Sequence, residues 1–182
     1  LFRLHPAFKK RYASNSGYFS IGPLLEFTDI QKTENRFISS DAGLGNSSDL
    51  FDTQYFGGFS ATLQYSNLDN SMMPHRGLSF VNRISYMKEM SNDLYEFGRV
   101  SSEFSIFQNL DPSQNWIFST RFNFQHLLGD RFPFFYGANL GGRNMLQGYH
   151  FDRFYGKSAR HIFDWNRNRL DGRPPKSRIF IQ

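Results

Sequence analysis

The chain has 182 residues, no cysteine, a formal net charge of +5, and 22 Phe and 9 Tyr that bring the aromatic share to 18%, while its mean hydropathy is only −0.54. The missing cysteines exclude disulfides and thiolate metal sites, and no run approaches the ~18 consecutive apolar residues that a membrane-spanning helix needs. So many rings in so polar a chain exceed what a soluble core requires, and they suit a lipid-facing wall with aromatic girdles.

The positive charge is scattered until the C-terminal stretch, where Lys157, Arg160, Arg167, Arg169, Arg173, Lys176 and Arg178 gather. A nucleic-acid binder concentrates charge on one face or arm, so this stretch reads as solvated and no nucleic-acid partner is expected. The chain opens on Leu1 without methionine or leader and is read as a piece of a longer protein.

Residues 1–16 carry Lys9, Lys10 and Arg11 and are read as the end of a preceding strand and its turn. The stretch 17–29 alternates, with Phe19, Ile21, Leu25 and Phe27 on one face and Ser20, Gly22, Glu26 and Thr28 on the other; Pro23 weakens it as a central strand. Residues 31–52 are polar and read as a long exposed loop. The stretch 54–66 gives the cleanest period of two, with Tyr55, Phe59, Ala61, Leu63 and Tyr65 opposite Gln54, Ser60, Thr62 and Gln64.

A turn at 67–76 leads to a strand at 78–87, where Leu78, Phe80, Ile84 and Tyr86 oppose Ser79, Arg83 and Ser85 and Asn82 spoils the apolar face. A strand at 95–108 sets Val100, Phe104 and Ile106 against Arg99, Ser101, Glu103 and Ser105. Asp111-Pro112-Ser113 is a turn, and 116–127 alternates Trp116, Phe118, Phe122 and Phe124 with Ser119, Arg121, Asn123 and Gln125. Strands of this length match membrane spans, and the two longest connections fall on the same side of the meander. Folding the last two strands about Pro112 sets Glu103 opposite Arg121 on the wet face.

Residues 129–158 form an ordered loop, too aromatic and too poor in charge to be disordered. Its run Leu140-Gly141-Gly142, then Leu146-Gln147-Gly148-Tyr149 and Asp152-Arg153-Phe154-Tyr155-Gly156, resembles the sixth extracellular loop of the BamA-like proteins, the bacterial surface antigen superfamily. Pro74-His75-Arg76-Gly77-Leu78 is similar to a Pro-x-Arg-Gly turn of the same superfamily. The family's loop tip reads Val/Leu-Arg-Gly-Phe/Tyr, and Gln147 departs from it where the arginine stands; Arg143 and Arg153 are the nearby candidates for that arginine's contact.

The resemblance implies an all-β fold, an antiparallel meander forming part of a transmembrane β-barrel in the outer membrane of a Gram-negative bacterium. The loop, through Gly141, Gly142, Arg143, Leu146, Gln147, Gly148, Tyr149, Arg153, Phe154 and Gly156, would fold into the lumen against a wall carrying Glu103 and Arg121. It further implies outer-membrane lipid and other outer-membrane or secreted polypeptides as partners, in insertion or secretion or as the anchor of a fused domain. The alternative is a soluble β-barrel or sandwich binding module, with the same faces turned inside out.

Residues 1–182 are thus expected to be one partial barrel domain ending in an irregular basic tail at 159–182, where Arg160, Asp164 and Arg167 deny a clean lipid face and Arg173-Pro174-Pro175 cannot be strand interior. The five histidines, His5, His75, His126, His150 and His161, lack metal-ligand spacing, and no nucleophile elbow or P-loop occurs. No catalytic residue, metal or cofactor is expected. The carboxylates Glu26 and Glu103 lie on wet faces, where ion pairs suit them better than acid–base work.

Overall fold

A computed structural model describes residues 2–12, 14, 16–29, 53–112, 116–140, 154–168 and 176–181. Eleven strands account for most of them: β1 (Phe2–Leu4), β2 (Phe8–Tyr12), β3 (Gly17–Thr28), β4 (Gln54–Ser66), β5 (Gly77–Glu89), β6 (Glu96–Asn109), β7 (Trp116–Arg131), β8 (Ala138–Leu140), β9 (Phe154–Gly156), β10 (Ser158–Asn168) and β11 (Lys176–Ile181). Nine of these make one antiparallel sheet in the order β1-β3-β4-β5-β6-β7-β10-β11, with β2 also on β3, and β8 pairs with β9. The sheet is open, with β1 and β2 along one edge and β11 at the other.

The faces are inside out by the standard of a soluble protein. On β4 the aromatic and aliphatic positions are exposed, Tyr55 at 52% and Phe59 at 65%, while Gln54 at 1% and Ser60 at 4% are buried. Phe19, Ile21, Leu25, Ile84, Tyr86, Phe104, Trp116 and Phe118 are exposed on the same outer face. The soluble module, which needs these groups in a closed core, is thereby overturned. From Tyr55 to Tyr65, at ~3.3 Å per residue and a tilt of ~40°, the outer face rises ~25 Å, the height of a barrel's apolar band. Rings mark both limits: Tyr55 packs on Phe27 at 5.2 Å and Tyr65 on Phe80 at 5.7 Å.

Three local irregularities in the sequence have physical explanations. Asn82, out of place on the outer face, accepts a 2.7 Å hydrogen bond from the Ser102 hydroxyl directly across the ladder, so its polarity is partly satisfied without water. Pro23 is paired to Phe59 of β4, and on its other side it falls between the registers of β1, which pairs with residues 25–27, and β2, which pairs with 17–21. Its missing N–H therefore removes no ladder bond. The turn at 67–76 is built on side-chain acceptors: Asp69 Oδ1 takes the amides of Asn70, His75 and Arg76, and Asn67 Oδ1 takes that of Leu78 at 2.8 Å. Gly77 leaves this turn at φ +120°, where a Cβ would sit 2.5 Å from the Asn67 carbonyl oxygen, which explains the glycine after Arg76.

Two expectations are corrected. The last stretch is no irregular tail, because β10 pairs with β7 from Ser158↔His126 to Asn168↔Trp116 and β11 pairs with β10. The ladder is made by backbone groups, so it forms without an alternating pattern, and Arg160 lies with its guanidinium carbon 5.6 Å from the Phe124 ring centroid. Pro174 and Pro175, like the polar loop 31–52, lie outside the described residues. The β6–β7 register also differs: Glu103 pairs with Asn123 and Arg121 with Ser105, because the pairing Asn109↔Ile117 sets the hairpin centre one residue later than Pro112, and each such step moves a partner by two.

In the full-length protein, Phe59→Lys is expected to cost ~2–4 kcal/mol if the site lies near the bilayer midplane, whereas Gln64→Lys on the inner face stays within about 1 kcal/mol. Denaturant unfolding from lipid vesicles checks this, and equal losses would contradict the face assignment. At the turn, the three backbone donors, His75 first, hold the Asp69 carboxyl below the usual carboxylate range. Its contribution is therefore present above the unfolded pKa and lost as pH falls through the depressed value. The protection of the His75 and Arg76 amides, measured relative to the intrinsic exchange rate at each pH, should fall on acidification through that window, and Asp69→Ala should show the lowered protection already at neutral pH.

Candidate functional site

The inner face at the end of the sheet where β7 runs into the long loop holds the main apolar cluster of the described residues: Leu24, Phe56, Met87, Phe97, Leu127, Tyr136, Ala138 and Ala159. Those on the large sheet lie towards the same end of it, and Tyr136 and Ala138 join them from the loop's entry, which concentrates burial there. The β6–β7 ladder shifts register between Glu96 and Gly98, and there Gly129 has φ +99° with a Cβ position 2.9 Å from the Glu96 carbonyl oxygen. Such a bulge bends a strand and re-aims the chain beyond it. The redirected chain carries Phe132, the buried Pro133 and a 3-10 turn at Phe134–Tyr136, closed by the Tyr136 amide donating to the Pro133 carbonyl at 3.0 Å.

Tyr136 plugs the wall. Its ring lies 5.3 Å from Phe56, edge-on, and 4.7 Å from Phe97, tilted, contacts of the kind worth ~0.5–1.5 kcal/mol each beyond burial. Burial first, and then the nearby Glu26 carboxylate, push its phenol above the ordinary tyrosine range, so it remains neutral. Glu26 itself is held by Arg3 across the β1–β3 ladder at 2.6 Å.

Arg99 fixes the backbone just beyond the ring. Its Nη2 donates to the carbonyls of Tyr136 at 2.6 Å and Gly137 at 3.2 Å, two charge-assisted bonds from wall to loop. Ala138–Leu140 then pairs with Phe154–Gly156 as a two-stranded neck. The returning chain is tied by Leu127 N–H to Lys157 C=O at 2.9 Å, by Lys157 to Asp130 at 2.5 Å and by His126 to Ser158 at 2.6 Å.

Of the residues singled out in the sequence, Phe154 and Gly156 begin and end β9, and Glu103 and Arg121 approach to 3.9 Å diagonally across the inner face. Gly141, Gly142, Arg143, Leu146, Gln147, Gly148, Tyr149 and Arg153 lie outside the described residues. Arg99, Tyr136 and the Arg3–Glu26 pair were not singled out as a unit. Their signal was present in part: Arg99 and Glu26 fall on wet faces, and Tyr136 closes an aromatic run at the loop's start.

No curated protein matches the sequence. The Omp85 superfamily domain model matches residues 8–173. Among solved structures the chain is similar to BamA from Haemophilus ducreyi lacking POTRA domains 1-3, with a TM-score of 0.59 and 15% identity over 81% of this chain and 33% of that one. The chain thus spans about a third of that structure, and the likeness is one of fold. With nearly the whole sheet inside the family match, the chain belongs to the Omp85 superfamily and forms part of an outer-membrane β-barrel of a Gram-negative bacterium.

Proposed function

We propose that residues 1–182 are the loop-bearing part of a barrel that inserts or secretes other outer-membrane or exported polypeptides, with the loop at 129–158 as the element that organises the lumen. The observation that carries this reading is the attachment of the loop's entry to the inner wall through Tyr136 and Arg99. An ordinary surface loop gains nothing from a guanidinium held against its backbone inside the wall; a lumenal element needs fixed points. Lipid contacts the outer face, and the work is done by positioning polypeptide, with no catalytic residue, metal, cofactor or nucleic acid involved. Within the loop, Gly148 and Arg153 are proposed to matter for folding or activity more than any histidine, with Gln147, Arg143 and Arg153 facing the polar wall around Glu103 and Arg121.

The test uses the full-length protein in cells that depend on it. Arg99→Met removes the two charge-assisted bonds to the loop, a loss of roughly 1.5–3 kcal/mol, or about 10–100-fold in the population of the released loop. Protease cleavage within 129–158 is expected to rise accordingly, and assembly of client barrels to fall with it, as for Gly148→Val and Arg153→Ala. Normal client assembly with the loop released would end the proposal that this loop carries the activity.

A further inference from the structure

The inner wall holds more positive charge than the loop's entry uses. Beside Tyr136 a cavity of about 570 Å³ opens on the concave face, lined among others by Arg3, Lys9, Arg83 and Arg99 with the hydroxyls of Ser20 and Thr62. Of the carboxylates on this wall, Glu26 is already taken by Arg3 at 2.6 Å, and Glu103 faces Arg121 at 3.9 Å. Arg99 gives Nη2 to the loop carbonyls, and its buried Nε has no partner among the described residues. Among the described residues Arg83 reaches the Thr62 hydroxyl, at 3.4 Å, and the Lys9 ammonium lies 3.6 Å from the centre of the Tyr18 ring.

Three cations therefore share one recess without a carboxylate partner among the described residues. Arg99 is half-buried and Lys9 and Arg83 are exposed; like charges gathered on one wall repel one another, and an anion bound between them relieves that cost. The lining presents donors chiefly: two guanidinium forks and an ammonium, with hydroxyls that can donate or accept. That set fits a fully deprotonated oxyanion better than a neutral or cationic group. The volume lies within the ~300–1,000 Å³ of small-molecule sites, roomy enough for more than a bare ion.

We propose that this cavity is an anion site for a phosphate group, free or carried on a small organic molecule, held by Lys9, Arg83 and Arg99. The site is independent of which polypeptides the barrel handles, since it needs only the inner wall of β2, β5 and β6.

Equilibrium dialysis of the purified full-length protein with radiolabelled inorganic phosphate, at constant ionic strength in chloride, tests it. Saturable binding is expected, competed by glucose 6-phosphate. Arg83→Gln and Lys9→Gln should each weaken it at least tenfold, while Lys88→Gln, which loses an ion pair with Asp93 on the opposite face, should bind as the parent does. Competition by glucose 6-phosphate well below the inorganic phosphate concentration needed for half-saturation assigns the site to a carried phosphate, and the reverse order to the free ion. A gel shift on heating, run on the same samples, verifies that each variant is folded. No saturable binding by the folded parent, or unchanged binding by a folded Arg83→Gln, Lys9→Gln double variant, overturns the proposal.

Discussion

Inside a bilayer each unpaired backbone N–H or C=O costs several kcal/mol, and the antiparallel pairing that runs strand to strand from β3 through β10 is the constraint on which the rest of this chain depends. Once the backbone is paired strand to strand, the side chains divide by parity: one set meets hydrocarbon, the other the lumen. That division reconciles a mean hydropathy of −0.54 with membrane residence, since only alternate residues need to be apolar. It also explains why Pro23 is placed where the flanking edge strand is interrupted, and why Asn82 and Ser102 satisfy each other on the outer face. The open edges at β1, β2 and β11 leave ladder groups for further strands to pair, in keeping with a chain that covers a third of the BamA structure it resembles.

On the lumenal side the same logic runs in reverse. Polar groups line most of the wall, and apolar packing is confined to the end where the loop enters. There the Gly129 bulge turns β7 inward, Tyr136 fills the space between Phe56 and Phe97, and Arg99 ties the backbone behind it. Aromatic packing gives the loop entry its place, and the guanidinium gives it an orientation. The remaining cations of that wall then have few carboxylates to face, which makes the lumen's electrostatics a property in its own right.

The strands were legible because period-two alternation needs only local sequence; β4 runs over the same residues, Gln54–Ser66, that its pattern marks. Register was less legible. A turn rich in Asp, Pro and Ser announces a reversal without giving its centre, and the one-residue difference moved Glu103 from Arg121 to Asn123. Strand β10 was illegible because its pairing to β7 rests on backbone groups and its Arg160 lies near an aromatic ring, neither of which leaves an alternating trace. The Arg3–Glu26 and Arg99–Tyr136 contacts join residues 23 and 37 apart, so a single sequence shows the members of each pair without showing that they meet.

The central claim, that the apolar face of this sheet meets lipid and its polar face does not, can be measured directly because the chain has no cysteine. Single cysteines placed in turn from Tyr55 to Tyr65 of the full-length protein in vesicles would be challenged with a membrane-confined maleimide. The account predicts labelling at 55, 57, 59, 61, 63 and 65 and protection at 56, 58, 60, 62 and 64. Labelling without this alternation, or with its phase reversed, would contradict it.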